Sequence, residues 1–388
     1  MVTNLPPESK EKWAKYSQAQ TTEEKLAALS EFYSSIPKHK GTSKLCANVK
    51  RQISILRRQM EEKRSRPSGR GRGWFVEKQG AAQLVLLGLA SSGKSTLLSR
   101  ITNAKPLISG IPYTTTEPGV GVYEYGEVSF QIIDTPSLQV EVNRGSGFGS
   151  QVLGLARNAD GLIIVLDLST DIVEQFNVIR RELDDFGILI SDHGGQIEFA
   201  RSPDDTRIKV SGKLLDCTEE DVRRLLSSYK IRSGLVRISG SATLDQIEDA
   251  IFKNTVYRPA LIVANKLDAQ NSRSNLDRLL RLGVGGLRVL PLSCSHDEKF
   301  DQLGDALLSV LSIVRVYTKN PNSSTHSSIP ITVKKGTTVI QVARIIHSRL
   351  FRDFKYARVW GSSVKYGGQH VGQNHILADR DIVEIHCR

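Results

Sequence analysis

The sequence predicts an α/β protein in which a parallel sheet carries ligand-binding loops at the carboxyl ends of its strands. Three observations support this prediction. A glycine-bounded loop at residues 88–96 lies between an apolar, strand-like run and a helical pattern. Later apolar runs also end in short polar motifs, which a parallel sheet would gather at one edge. Segments of different composition precede this pattern, interrupt it after Asp167 and follow it from residue 319 onward, which indicates additional domains.

The composition is that of a folded protein with several domains. Of the 388 residues, 39% are hydrophobic and 24% charged, and the length suggests two to four domains. No apolar run approaches the roughly 20 residues that a membrane span needs, and the N-terminus lacks a signal-peptide pattern. Cys46, Cys217, Cys294 and Cys387 lie far apart, so neither a zinc site nor a disulfide framework is indicated. We therefore expect a cytoplasmic protein with no membrane contact.

Positive charge is concentrated near the N-terminus. The formal net charge is +12, and residues 1–80 carry 17 Lys and Arg against 8 Asp and Glu, a net charge of +9. This asymmetry favours a polyanionic partner for the N-terminal segment.

Residues 1–73 form the first predicted unit, a basic helical region and a linker. Residues 7–35 have a helical pattern with a helix start at Thr21, and residues 44–64 form a second, amphipathic helical pattern. Residues 66–73 are rich in Gly and Arg, a composition typical of flexible segments that contact RNA. The alternative is that the basic face is simply solvated. The candidate RNA-binding residues are Lys50, Arg51, Arg57, Arg58, Lys63, Arg64, Arg70 and Arg72.

The loop at residues 88–96 predicts a phosphate-binding site. Gly88 and Gly93 permit backbone angles that other residues avoid, so successive N–H groups can point toward phosphate oxygens. Lys94 would reach the β- and γ-phosphates, and the Ser95 hydroxyl would bind Mg²⁺. A plain glycine turn is the alternative, and the motifs that follow argue against it. The loop also contributes Ala90, Ser91, Ser92 and Thr96 to the candidate site.

Two further segments are placed to surround the phosphates. Residues 111–119 contain three consecutive threonines, and a threonine hydroxyl here could complete the Mg²⁺ shell and sense the γ-phosphate. A strand-like run ends at Asp134, which would hold a metal-bound water. Thr135, Pro136 and Ser137 follow and begin a glycine-containing segment suited to movement.

The motif at residues 265–268 predicts guanine recognition. It follows the apolar run at residues 260–264, and Asp268 could accept hydrogen bonds from both the N1–H and the 2-amino group of guanine. Adenine offers neither donor in that arrangement. Asn265 and Lys266 complete the motif, and a strand and turn containing Ser293, Cys294 and Ser295 would close over the base.

The remaining segments predict two more domains. Between Asp167 and Tyr257, helical patterns alternate with short strand-like runs, which indicates an inserted α+β domain. Residues 319–328 are polar and rich in turn formers, as in a linker. The last sixty residues predict a strand at 329–333, a helix from Val339 to Leu350 and, finally, short strands at residues 356–360, 363–366 and 381–386.

These motifs, in this order, resemble the developmentally regulated GTP-binding family of Obg-related translation GTPases. The resemblance covers nearly the whole chain and includes residues 147–153 of the second switch. It implies a P-loop GTPase domain split between residues 82–168 and 256–318. It also implies an inserted domain at 169–255 similar to domain 2 of ribosomal protein S5, and a C-terminal TGS domain of the β-grasp type at 329–388.

The resemblance also implies roles for individual residues. Thr115, next to Thr114, becomes the Mg²⁺ ligand of the first switch, and Lys94, Thr115 and Asp134 become the catalytic set. Ser91 matches a position near a monovalent cation, which implies K⁺ as a second cofactor beside Mg²⁺.

The sequence departs from the family pattern at two positions. The family has Pro where Ala90 stands, and Gly where Ser137 stands. Because a serine narrows the allowed backbone angles, we expect the second switch to close less readily. Leu138 occupies the place of a water-orienting glutamine in Ras-like proteins, and its apolar side chain agrees with the Obg-related pattern.

Three functions are compatible with parts of this sequence. The preferred one is a switch that hydrolyses GTP slowly, is stimulated by K⁺ and acts in translation through a ribosome or RNA. The alternative is an RNA- or ribosome-binding module in which the nucleotide is mainly structural. An adenine-nucleotide enzyme is disfavoured by Asp268. The expected partners are GTP, GDP, a ribosome or RNA and a dedicated regulatory protein, and the chain alone is expected to be monomeric.

Overall fold

The computed structural model describes residues 5–19, 21–64, 74–104, 118–138, 149–190, 196–200, 208–253, 256–296, 300–321, 323 and 325–387. The helices are α1 Pro7–Gln18, α2 Thr22–Ser35, α3 Ser43–Arg64, α4 Lys94–Ile101, α5 Gly149–Asn158, α6 Ile172–Asp185, α7 Glu219–Ser228, α8 Leu244–Lys253, α9 Ser272–Arg281, α10 Asp301–Val310, α11 Val339–Ile346 and α12 Ser348–Arg352.

The strands, numbered in chain order, are β1 Ala82–Leu87, β2 Gly119–Tyr125, β3 Val128–Asp134, β4 Gly161–Asp167, β5 Ile188–Leu189, β6 Gln196–Ala200, β7 Ile208–Leu214, β8 Gly234–Ala242, β9 Val256–Tyr257, β10 Ala260–Asn265, β11 Arg288–Pro291, β12 Ile313–Lys319, β13 Ile331–Lys334, β14 Phe354–Trp360, β15 Gln369–Val371 and β16 Asp381–Cys387.

A six-stranded sheet forms the centre of the molecule, in the order β11-β10-β4-β1-β3-β2. The pairs among its first five strands are parallel, and β2 runs antiparallel to β3. The middle strands β1, β4 and β10 are buried along their whole length, because helices cover both faces of the sheet. α4 and α10 pack on one face, and α5, α6 and α9 pack on the other. The carboxyl ends of the parallel strands therefore meet at one edge, as predicted.

The insertion begins later than the sequence predicted. α6 lies within the predicted insertion at 169–255, yet Ile172, Phe176 and Ile179 pack in the core of the central sheet. The chain leaves that core through β5 and returns through β9, and these two short strands pair in parallel. The helical pattern of α6 was predicted well, but an amphipathic pattern alone does not show which sheet a helix covers.

The inserted domain and the N-terminal helices share one hydrophobic core. The insertion consists of a three-stranded sheet in the order β6-β8-β7, together with α7 and α8. Trp13, Phe32 and Val49 from the N-terminal helices pack in the same cluster as Tyr229 and Phe252 from the insertion. The predicted helix start at Thr21 is confirmed, since Thr21 and Glu24 form a reciprocal capping box.

The C-terminal domain is a five-stranded sheet in the order β13-β12-β16-β14-β15, with α11 and α12 beside it. Two predictions were wrong here. β12 pairs with β13 and β16, so the sheet begins at Ile313 rather than after a linker. The strand predicted at 363–366 is absent. A turn lies there instead, bounded by Gly361 and Gly368 with φ of 142° and 74°, and β15 follows it.

Among the described residues, the structure contains no helix with the length and apolar character required to cross a bilayer.

Candidate nucleotide-binding site

Two glycines shape the loop between β1 and α4. Gly93 has φ of 94° and precedes the first turn of α4, and a Cβ on it would lie 2.2 Å from Asn265 Nδ2. A Cβ on Gly88 would lie 2.6 Å from both Ser92 Oγ and the Val165 carbonyl oxygen. The loop therefore needs glycine at both positions. It leads directly into a helix whose first backbone N–H groups and positive dipole end favour an anion.

Lys94 is buried beneath this loop, with 6% of its surface exposed. Its Nζ donates to the carbonyl oxygens of Gly88 and Leu89, at 3.1 Å and 3.0 Å, and to Ser137 Oγ at 3.0 Å. Burial lowers the pKa of Lys94 to about 8, and the charge of Asp134 opposes that shift. A buried cation with one nearby carboxylate is well suited to a polyphosphate.

Ser95 and Asp134 provide the oxygen ligands that Mg²⁺ prefers. Ser95 Oγ donates to Asp134 Oδ2 at 2.5 Å. Asp134 is fully buried, and burial raises the pKa of its carboxyl group, partly offset by the Ser95 hydrogen bond. Asp134 Oδ1 and Ser92 Oγ are buried and have no hydrogen-bond partner in the structure. Such unpartnered polar atoms are costly, and a hydrated cation beside bound phosphates would satisfy them. The residues therefore fit Mg²⁺.

Asn265 joins the phosphate loop to the end of the sheet. Its Nδ2 donates to the Ser92 carbonyl oxygen at 2.9 Å, and its Oδ1 accepts from the Cys294 N–H at 3.0 Å. The next residue, Lys266, has φ of 65° and donates from Nζ to Asp167 Oδ2 at 2.6 Å. Asp167 also accepts from the N–H and hydroxyl of Ser169. The sequence did not identify Asp167, because only the pairing of β4 with β10 brings it beside Lys266.

Asp268 lies at the open end of the site, with 43% of its side chain exposed. Its Oδ1 accepts a hydrogen bond from Ser293 Oγ, and this bond lowers the pKa of the Asp268 carboxyl group. His296 Nδ1 lies 3.6 Å from Asp268 Oδ2, and Arg100 donates to the Ser295 carbonyl oxygen at 2.8 Å. Asp268 is thus held ionised, as acceptance of two guanine N–H groups requires.

The structure brings the predicted phosphate and guanine residues to one edge of the sheet. Thr135 Oγ1 is bound to the Leu86 carbonyl oxygen, which anchors the segment that continues into Pro136 and Ser137. Thr114 and Thr115 lie outside the described residues, as do Arg70 and Arg72.

The remaining candidate RNA-binding residues lie on α3. Lys50 and Arg57 are exposed. Arg51 instead donates to the Asp184 carbonyl oxygen at 2.6 Å and to Asp185 Oδ1 at 2.8 Å. Its guanidinium group is therefore paired within the protein. Arg58, Lys63 and Arg64 belong to the same helix, and their side chains lie outside the described part.

A phosphate loop, a strand ending in a carboxylate and an Asn-Lys-x-Asp motif at one edge of a parallel sheet define a P-loop GTP-binding protein. Family models agree. One described as "50S ribosome-binding GTPase" matches residues 83–193. The C-terminal region of the same domain family matches residues 206–313, and the TGS domain matches residues 314–387.

The chain belongs to the developmentally regulated GTP-binding protein family. It is 32% identical to developmentally-regulated GTP-binding protein 2 of Homo sapiens, over 93% of this chain and 98% of that protein. It is also 32% identical to the protein 1 homolog of Dictyostelium discoideum, over 90% and 94%. An uncharacterized GTP-binding protein of Methanocaldococcus jannaschii is 30% identical, over 94% and 92%. The predicted family and fold class are therefore confirmed, and the protein is a GTPase of this type.

Proposed function

We propose that the protein is a slow, K⁺-stimulated GTPase switch that acts in translation, in the cytoplasm, by binding a ribosome or RNA. The observation that carries the catalytic part is the grouping of three residues: Ser95 Oγ donates to Asp134 Oδ2, and the charge of Asp134 acts on the buried Lys94. Bound Mg²⁺ would neutralise charge that develops on the phosphates. Ser95 would be its direct ligand, Asp134 would hold a metal-bound water, and Thr115 would complete the shell.

The proposal of a slow rate rests on Leu138. This residue matches the water-orienting glutamine of Ras-like proteins in the sequence, and it is 1% exposed and packed in the hydrophobic core. An apolar, fixed side chain cannot position an attacking water. The sequence identifies no arginine finger, whose contribution alone is about 10³–10⁵ in rate, so in this proposal a partner or cation supplies the stabilisation.

The proposal of K⁺ rests on Ser91. This residue has φ of 59° and an exposed side chain at the tip of the phosphate loop, where its oxygen atoms could face the phosphates of a bound nucleotide. A second positive charge there would act on the transferred phosphoryl group as an arginine does.

The proposal of a ribosomal or RNA partner has separate support. A family model described as a 50S ribosome-binding GTPase matches the first part of the G domain. The exposed charges of Lys50 and Arg57 on α3 would suit phosphate contacts.

The test is steady-state GTP turnover with Mg²⁺, measured in KCl and in NaCl at equal ionic strength. We expect faster turnover in KCl and near-complete loss of turnover in Lys94→Ala. Equal rates in the two salts would remove the K⁺ proposal. GTP binding without turnover under any condition would favour the binding-module alternative.

A further inference from the structure

Asp167 is a buried carboxylate at the end of β4 that belongs to none of the predicted motifs. It is 7% exposed, and its two carboxylate oxygens have separate partners. Oδ1 accepts from the Ser169 N–H at 2.8 Å and from Ser169 Oγ at 2.6 Å, whereas Oδ2 accepts from Lys266 Nζ at 2.6 Å. The contacts with Ser169 fix the orientation of the carboxylate and leave Oδ2 to Lys266.

The backbone of Asp167 is held independently by Gln175 on α6. The Gln175 side chain accepts from the Asp167 N–H at 3.0 Å, and it donates to the Asp167 carbonyl oxygen at 2.8 Å and to Thr170 Oγ1 at 2.7 Å. Gln175 is itself 7% exposed. Asp167 is therefore fixed in place by contacts that do not involve Lys266.

Lys266 lies between two residues assigned to the nucleotide site. Asn265 is bonded to the phosphate loop through the Ser92 carbonyl oxygen, and Asp268 is the expected guanine acceptor. Asn265 and Asp167 are opposite each other in the pairing of β10 with β4, so the Lys266 side chain crosses from the end of one strand to the end of the next. This side chain is 36% exposed although its Nζ is bound, so part of it remains accessible to a ligand.

We propose that Asp167 is a positioning residue, which orders the Lys266 side chain for the binding of guanine nucleotides. This inference rests on the proposed function and on the guanine site at residues 265–268. A free lysine side chain has many rotamers, and ordering one such side chain on binding lowers affinity by about two- to tenfold. The ion pair orders Lys266 before the nucleotide arrives, so binding avoids this loss of affinity.

Asp167 should affect binding rather than the chemical step. In the central sheet β4 separates β10 from β1 and β3, and the proposed Mg²⁺ residues Ser95 and Asp134 belong to α4, which follows β1, and to β3. GTP and GDP carry the same guanosine, so loss of the ion pair should weaken both nucleotides equally. Because KM equals the dissociation constant when chemistry is slow, we expect a higher KM for GTP with an unchanged kcat.

The test measures GTP turnover, and GDP affinity by calorimetry, in the full-length chain and in four variants. Asp167→Asn keeps the shape of the side chain and its acceptor for Ser169, but it directs an amide N–H at Lys266. Lys266→Met removes the ammonium group and keeps a long side chain. A third variant combines these two changes, and Asp167→Glu keeps a carboxylate.

We expect Asp167→Asn and Lys266→Met each to raise KM for GTP and the dissociation constant for GDP by about two- to tenfold, with kcat unchanged. The combined variant should be no weaker than the single ones, since all three lack the same ion pair. Asp167→Glu should recover part of the affinity.

Gln175→Ala is the matched control, because it loosens the backbone at Asp167 without removing either member of the ion pair. It should lower the midpoint of urea denaturation and leave KM close to that of the natural chain. An equal rise of KM in Gln175→Ala would mean that Asp167 only stabilises the turn. Unchanged affinity in Asp167→Asn, or additive losses in the combined variant, would also overturn the inference. The proposed function would survive these results if the natural chain hydrolyses GTP, whereas failure of the natural chain to bind GTP would refute both.

Discussion

Among single side chains, we expect Asp268 to decide which base the site accepts. Its Oδ1 accepts from Ser293 Oγ and its carboxyl pKa is lowered, so it acts as an acceptor at neutral pH. We expect Asp268→Asn to weaken GTP binding severely and to improve the binding of xanthosine triphosphate, whose 2-oxo group suits an amide donor. Calorimetric titration with both nucleotides measures this. Asp277→Asn, an exposed carboxylate on α9, is the matched control and should keep the preference for GTP.

Lys94 should couple nucleotide binding to proton uptake. Burial lowers its pKa in the free protein to about 8, so a large part of it would be neutral at pH 8.5. Phosphate oxygens favour the charged form and raise this pKa, so binding takes up a proton. Titrations at pH 8.5 in two buffers of different ionisation enthalpy should give different apparent heats, and the difference should shrink at pH 7. Identical heats at pH 8.5 would contradict the assigned contact between Lys94 and phosphate.

The same linkage gives the free protein a pH-dependent stability. Between pH 8 and the ordinary lysine value of 10.5, the unfolded chain binds more protons at this residue than the folded chain does. The unfolding free energy should therefore rise with pH across that window.

The sequence predicted the positions of residues that local spacing fixes, such as Lys94 and Ser95 in one loop. It did not predict the contacts between loops. Asp167 reaches Lys266 from a neighbouring strand, and Ser137 reaches Lys94 across 43 residues of chain. Such contacts depend on strand order, which one sequence does not specify.

Helix α3 is where the proposal of nucleic-acid binding can be tested most directly. Lys50 and Arg57 are exposed, so the double variant Lys50→Gln/Arg57→Gln should weaken RNA binding and reduce the salt slope by about 0.7–0.9 for each lost phosphate contact. The matched control is Lys213→Gln/Arg288→Gln, which removes the same charge from exposed positions elsewhere. Equal slopes for the two double variants would refute phosphate contact by α3.

Point substitutions are better suited to this test than removal of residues 1–73. Trp13 is 4% exposed, and its ring lies 4.9 Å from that of Phe252 in the inserted domain and 5.1 Å from that of Phe32. Truncation would uncover this core, so a loss of RNA binding could reflect unfolding.

The packing of α1 against the insertion gives its own prediction. Trp13→Ala should lower the unfolding free energy by about 3–5 kcal/mol, the usual cost for a buried aromatic residue. Phe75→Ala removes an aromatic ring that is 88% exposed and should have little effect. Urea denaturation followed by circular dichroism compares the two. Equal midpoints would mean that the N-terminal helices do not stabilise the insertion.

Helices and strands with a regular hydrophobic pattern were predicted well. Elements whose assignment depends on the adjacent segments of the chain were not. Buried side chains alternate along β12, where Val314 and Val316 are buried. Because β12 directly follows α10 in the sequence, the prediction assigned it to the G domain. The run at 363–366 contains Val364 and Tyr366, which favour strands. The glycines on either side of it impose a turn instead.

Across the whole molecule, the order of domains was predictable because each has its own composition and motifs. The contacts between domains were not. The N-terminal helices have a basic outer face that suggests an independent RNA-binding arm, yet their apolar side completes the core of the insertion. An amphipathic helix needs an apolar partner, and the sequence does not identify which domain supplies it.

Only two residues, Leu311 and Ser312, separate the last helix of the G domain from the first strand of the C-terminal sheet. Leu311 and Ile313 pack in the core of the central sheet, and Val314 and Val316 pack in the core of the C-terminal domain. This connection is too short to let α10 and the C-terminal sheet move independently. A tilt of α10 would therefore be transmitted to the C-terminal sheet, which would rotate together with the last helix of the G domain.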